Sequence, residues 1–541
     1  MLRVGTVRRS GWRNARTAVA IGIAVGLATA AMPLTAAAAN NSAPRPTPVV
    51  IDWQPCVAGF ECGTMPVPLD YDHPRGRQIS IAVIRSHAAD PTRRIGSVVF
   101  NPGGPGGAGT TDLPGLFASF PSEVRNRFDL VSFDPRGIGQ STAVQCFATS
   151  ADESAFLAHA PAAFPVGARE ERQWIRTYRG FSEQCERRNG DFLKHISTAD
   201  AARDMDQLRA ALGEATLRFI GLSYGTLLGA TYANLFPDRV GALVLDGNVD
   251  PVAWFNNGDE RAQLGVSLRL ESDLGTADVV SQFLDHCGAL PATQCPFSAG
   301  SPTATRAKFA QLLARLRIAP VTFSGITVTY AVAVSIAADF VITVGPIPAT
   351  AAKPTYPGWG ALAGLLEQFW QLSSSPAPTP AARPAASAAP SERYAGANQG
   401  LAVACSEAPM PRDTDRYRAL AAFSFGRAGD VGPFWTWGTD ELCATWPARA
   451  DEAYAGPWNQ RTAAPILVVG NRHDPQTPYS DSLAMVRRLR RARLLTVEGF
   501  GHTAMLNPSD CANSAIVDYL VDGRLPPNGT ACPQTVQPFA G

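Results

Sequence analysis

The sequence predicts an α/β fold: a mostly parallel central sheet covered by helices on both faces and interrupted by an inserted, mainly helical cap. Three observations carry this prediction. Short apolar, β-branched runs recur through the first half, at Ile79–Ile84, Ser97–Phe100, Phe128–Phe133, Leu217–Gly221 and Ala242–Leu245, and each reads as a strand. Helical patterns lie between several of them, notably Ala201–Leu212 and Leu227–Asn234, and strands alternating with helices form parallel sheets. The alternation resumes late, with a strand Pro465–Gly470, a helix around Ser480–Arg490, a strand Arg493–Val497 and a helix Cys511–Leu520.

The 541 residues suffice for a large core and exceed one simple domain. Residues 1–39 read as an export signal, because an Arg-rich start (Arg3, Arg8, Arg9, Arg13, Arg16) precedes the apolar run Thr17–Ala31 and the small-residue tract Ala36–Ala39. The run is shorter than the ~20 apolar residues of a spanning helix, so cleavage near Ala39 is expected and membrane anchoring is not. Arg8-Arg9 hints at twin-arginine export, but Ser10-Gly11-Trp12 continues that signal poorly, which leaves the Sec and Tat routes both open. The formal charge of +1 includes those five Arg and no acid from the leader, so the remainder carries −4. A mildly acidic mature chain gives no electrostatic reason to expect nucleic-acid or membrane-surface binding.

After the leader, residues 40–250 form the first part of the sheet domain, 251–461 the cap and 462–541 the second part of the sheet domain. Within the cap, the Pro/Ala/Ser-rich stretch 373–391 reads as a mobile loop. All ten cysteines follow the leader, an even number that fits disulfides in an oxidising compartment. Their spacing suggests local pairs: Cys56 with Cys62, Cys146 with Cys185, Cys287 with Cys295, Cys405 with Cys443, and Cys511 with Cys532. A zinc site is the rival reading, but no C-x-x-C pair occurs and no His lies at ligand spacing from a Cys pair.

Gly221-Leu222-Ser223-Tyr224-Gly225 matches G-x-S-x-G, follows the apolar run Leu217–Ile220 and opens the helical stretch Thr226–Asn234. The bare pattern is common in ordinary turns; strand–turn–helix context makes it the signature of a nucleophilic serine. Such a serine needs an imidazole as base and a carboxylate to orient the imidazole. In a fold of this type they follow in the order Ser, acid, His. Asp474 stands just past the strand Pro465–Gly470, and the glycine-flanked His502 stands 28 residues later, after the strand Arg493–Val497. His473, adjacent to the acid, is read as a loop residue. Two N–H donors are needed for the oxyanion: Tyr224, after the nucleophile, supplies one, and the loop Asn101–Gly107 supplies the other, with Gly104 first choice and Gly103 second. A phosphate-gripping loop is the rival there, but no Lys-Ser/Thr pair follows.

Asn101–Gly107, Asp134-Pro135-Arg136-Gly137-Ile138-Gly139-Gln140-Ser141, Gly221–Gly225, Asp474–Pro478 and Gly501-His502 together resemble the proline iminopeptidase group of α/β-hydrolases. With the leader, the cysteines and the segments Cys405-Ser406-Glu407 and Cys443, the chain looks more like the secreted actinobacterial tripeptidyl aminopeptidases with their TAP-like C-terminal region. One departure is Asn101, where iminopeptidases commonly show His. The resemblance implies a secreted, exo-acting serine peptidase on peptides with a free N-terminus; the triad chemistry needs no metal or organic cofactor, and a monomer is expected. An aminopeptidase must meet a buried α-ammonium with a carboxylate. Glu407 is the first candidate; Asp250, Asp259 and Glu260 are weaker ones. A carboxylesterase or lipase would use the same triad, and a non-catalytic binding protein on this scaffold would be expected to lack a triad member, whereas all three are present.

Overall fold

The computed structural model describes residues 50–256, 260–347, 356–374 and 398–539. The predicted leader, residues 1–39, and the Pro/Ala-rich stretch beyond Ser374 lie outside the described residues. Among those described, ten strands form one sheet: β1 (Gln54–Pro55), β2 (Glu61–Pro68), β3 (Gln78–Ser86), β4 (Gly96–Asn101), β5 (Phe128–Phe133), β6 (Leu217–Leu222), β7 (Val240–Asp246), β10 (Ile466–His473), β11 (Ala492–Phe500) and β12 (Ala531–Pro533). Between β7 and β10 a separate hairpin, β8 (Val321–Phe323) and β9 (Ile326–Val328), accompanies the inserted helices. The sheet order is β1-β2-β3-β5-β4-β6-β7-β10-β11-β12. Pairing is antiparallel from β1 to β5 by way of β2 and β3, and parallel from β5 through to β12.

Side chains on a strand alternate between faces, and here the alternation sorts the apolar residues into two cores. Val99, Phe219, Leu243, Leu245 and Val468 pack on one face with Met205, Leu227 and Met485 from the helices Thr198–Ala211, Tyr224–Leu235 and Tyr479–Arg488. Val98, Phe100, Ile220, Val244, Leu467 and Val469 pack on the other with Leu113 and Ile516 from the helices Gly109–Leu116 and Asp510–Asp522. β4 and β5 are buried at every position, so their sequences are mostly apolar, and their polar residues Ser97, Asn101, Asp129 and Ser132 are buried as well.

The insertion has a core of its own around Phe283, Leu312, Val334, Trp359, Leu366 and Tyr417. It is not wholly separate, because the helix Gln399–Glu407 together with Trp446 and Trp458 joins the core on the sheet side. The five disulfides are Cys56–Cys62, Cys146–Cys185, Cys287–Cys295, Cys405–Cys443 and Cys511–Cys532. Arg136 of the Asp134–Ser141 segment is 1% exposed, pairs with Asp204 at 2.8 and 2.7 Å and donates to the carbonyls of Pro68, Leu69 and His195. That motif is therefore a buried brace rather than a ligand-facing loop. No helix among the described residues is long and apolar enough to cross a membrane.

Candidate active site

β6 lies near the middle of the sheet and runs directly into Ser223, a non-glycine residue held at φ 55°, ψ −125° at the head of the 224–235 helix. Such a conformation is costly for an L-residue and persists only where its surroundings fix it. The Ser223 amide donates to the Asp246 carbonyl at 2.9 Å, and Thr226 donates to the Ser223 carbonyl through both its amide and its hydroxyl. The flanking glycines are steric necessities: a Cβ on Gly221 would lie 2.4 Å from the Gly225 carbonyl oxygen, and one on Gly225 2.8 Å from Asn101 Oδ1.

The Asn101–Gly107 loop lies against this elbow. A Cβ on Gly103 would sit 2.3 Å from the Leu222 carbonyl oxygen and 2.9 Å from Ser223 Cβ. The Gly103 amide donates to Asn101 Oδ1 at 3.1 Å, within its own loop. Asn101, which departs from the iminopeptidase pattern, thus shapes the loop that touches the serine.

Asp474 follows β10 and is 2% exposed. Its Oδ1 accepts the Gln476 and Thr477 amides, both at 2.9 Å, and its Oδ2 accepts the Thr503 amide at 3.2 Å. Both oxygens lie 2.9 Å from His502 Nδ1. A carboxylate at that distance fixes the proton on Nδ1 and leaves Nε2 as the acceptor. His502 is 4% exposed, and Nε2 is buried without a hydrogen-bond partner among the described residues. Its Cε1 would lie 3.2 Å from a Cβ on Gly247, the residue after the one whose carbonyl holds the Ser223 amide. The structure thus gathers Ser223, Asp474, His502 and the 101–107 loop at the carboxyl edge of adjacent strands, where α/β sheets bind ligands.

Several positioning contacts carry no sequence signature. The His502 amide donates to Ile342 of the insertion at 2.7 Å, and Asn507 donates to the carbonyls of both Ile342 and His502. The insertion's helix Ser272–Gly288 clasps the acid loop, Ser272 donating to the Gln476 carbonyl and Thr276 to the Pro475 carbonyl. His473 faces that helix, with Nδ1 2.6 Å from Asp278 Oδ2. Only the ends of these contacts that lie on the acid and histidine loops fall within recognisable motifs.

Two of the acids expected to receive an ammonium, Glu407 and Asp250, are engaged with neighbouring groups of the chain. Glu407 is 5% exposed and turned inward, accepting the Thr198 amide at 2.8 Å, the Thr198 hydroxyl at 2.5 Å and Trp254 Nε1 at 3.0 Å. Burial pushes its carboxyl up to about 7 despite those donors. The Thr198 hydroxyl also meets the Tyr224 hydroxyl at 2.6 Å. Through the Thr198 hydroxyl, Glu407 is thus linked to the side chain of the residue after the serine. Asp250 caps the helix Pro251–Phe255 through the Val252 amide at 2.9 Å, a structural task for which Asp is a preferred residue. Asp259 and the Glu260 side chain lie outside the described residues. No group of three or more His, Cys, Asp or Glu among the described residues is arranged to hold a metal ion.

A strained serine on a parallel-sheet elbow, together with an imidazole braced by a buried carboxylate at the same edge of the sheet, defines a serine hydrolase of the α/β-hydrolase fold. Sequence comparison agrees: residues 96–278 match the description "alpha/beta hydrolase fold" and residues 428–532 match "TAP-like protein". The chain is 30% identical to the tripeptidyl aminopeptidase of Streptomyces lividans over 521 residues, covering 89% of this chain and 86% of that one. It is also 30% identical to serine protease Hip1 of Mycobacterium tuberculosis H37Rv (89% and 91% covered). The same identity relates it to carboxylesterase B of that strain (94% and 95% covered). The chain belongs to the TAP-like family of α/β-hydrolases.

Proposed function

We propose that this chain is an exported exopeptidase that releases short peptides, tripeptides foremost, from free peptide N-termini through an acyl-enzyme on Ser223. His502 Nε2 takes the Ser223 proton as the hydroxyl attacks the scissile carbonyl, Asp474 offsets the charge the imidazole gains, and the Tyr224 and Gly104 amides hold the oxyanion. His502 then protonates the leaving amine, and water releases the acyl group by the same path reversed. The observation that carries this reading is the buried, unpartnered His502 Nε2 on an imidazole whose other nitrogen meets both Asp474 oxygens at 2.9 Å. The peptidase assignment draws its support from the aminopeptidase and protease relatives, and export from the leader-like residues 1–39 together with five disulfides. The inserted region, residues 251–461, is the cap that shuts out internal stretches of chain, and no metal or organic cofactor takes part.

Carboxylesterase activity is the second reading, favoured by the carboxylesterase B relative. Turnover of an Ala-Pro-Ala p-nitroanilide against short p-nitrophenyl esters separates the two. A peptidase cleaves the anilide, loses that activity when the substrate's amine is acetylated, and releases intact tripeptide. Ester turnover with an untouched anilide would overturn the peptidase reading.

A further inference from the structure

Asp246, the last residue of β7, stands between the strands that carry the nucleophile and the acid: it pairs in register with Leu222 of β6 and with Val469 of β10. Its main-chain carbonyl accepts the Ser223 amide at 2.9 Å. Its side chain, in a residue only 2% exposed, reaches the turn just after His502, where Oδ1 accepts the Ala504 amide and Oδ2 the Met505 amide, each at 2.9 Å. No Lys or Arg among the described residues pairs with it; the charged groups that face it are His502 and Asp474.

A buried carboxylate without a cation is an expensive choice for a merely structural position. Two neighbouring N–H donors explain it. They call for an acceptor on each of two oxygens, which an ionised Asp supplies and a protonated Asp or an Asn does not.

We infer that Asp246 is a positioning residue for the hydrolytic reaction, its ionised carboxylate fixing the His502 turn in register with the Ser223 elbow that its own main chain holds. The inference rests on the serine-hydrolase reading. Burial pushes the Asp246 carboxyl up to about 6, with His502 opposing and Asp474 adding to the shift. Below that pH the clamp loses an acceptor, so the acid limb of kcat/KM contains the Asp246 proton.

The test uses the full-length protein and Asp246→Asn. Expected are a fall in kcat of about tenfold or more with KM within about twofold, as for an interaction that shapes the transition state, and an acid limb one proton shallower than in the wild type. Wild-type kcat with an unchanged acid slope overturns the inference. A measurement that needs no variant is amide exchange in the wild-type segment 501–508: the protection factors of Ala504 and Met505 fall as pH drops through about 6, and protection that stays constant overturns the inference. Labelling by a fluorophosphonate separates the two levels. A wild type that does not label refutes the hydrolase reading itself, whereas an Asp246→Asn protein labelled at the wild-type rate refutes only the role of Asp246.

Discussion

Replacing Asp474 by Asn should abolish nearly all catalysis while leaving the fold in place, and the structure says which way the new amide turns. Oδ1 accepts two backbone amides at 2.9 Å, which cannot reorient. An NH2 placed there would face two donors, so the amide oxygen takes that position and the NH2 takes that of Oδ2, toward Thr503 and the imidazole. His502 Nδ1, 2.9 Å from both oxygens in the wild type, then meets a donor in place of one acceptor, so the proton is no longer held on Nδ1 and the tautomer protonated on Nε2, which cannot act as base, gains population. Loss of the correct tautomer costs about 10³–10⁴ in kcat, or roughly 4–5.5 kcal/mol of transition-state stabilisation. The assay is steady-state hydrolysis of the Ala-Pro-Ala anilide, with KM expected within about threefold of wild type because Asp474 does not face substrate. A kcat within tenfold of wild type would refute the assignment of Asp474 as the orienting acid.

Gly103→Ala places a methyl 2.3 Å from the Leu222 carbonyl oxygen on a residue with φ +91°. The loop must move away from the elbow, and kcat should fall by about 10²-fold, as when an oxyanion donor is lost; a fully active, equally stable variant would contradict the packing described. Glu407 adds a pH dependence to stability. Unfolded, it ionises near 4.5, but burial holds its proton to about 7 in the folded state. Its contribution is therefore complete below about 4.5 and declines as pH rises to about 7. Thermal melts between pH 5 and 7.5 should show a shallower decline for Glu407→Gln than for wild type, and parallel curves would count against burial as the cause.

Much of the sheet was legible because its central strands are largely buried on both faces: β4, β5 and β6 are mostly apolar and β-branched or aromatic, with few polar interruptions such as Asp129 and Arg218. β2 escaped notice, since Pro66 and Pro68 and its half-exposed pattern suit a strand near the sheet's edge but not a simple periodicity rule. The 22-residue helix Ala168–Asn189 was also missed, although its buried Trp174, Phe181 and Cys185 lie on one stripe of a strongly charged surface. At the site, the proposed triad was read from motif order, because an elbow needs glycines on both sides and the acid and histidine of such a triad lie on loops at the sheet's carboxyl edge. Contacts made through the backbone left no such trace. Ile342, whose carbonyl holds the His502 amide, could be any residue, and nothing near Glu407 in sequence says that Thr198, 209 residues away, would occupy its oxygens.

The most direct test of the account is intact-mass analysis after treatment with a fluorophosphonate, followed by peptide mapping. One adduct per chain, located on Ser223 and absent from both Ser223→Ala and heat-denatured protein, is the predicted result. A full-strength adduct on another residue, or on Ser223→Ala, would contradict it.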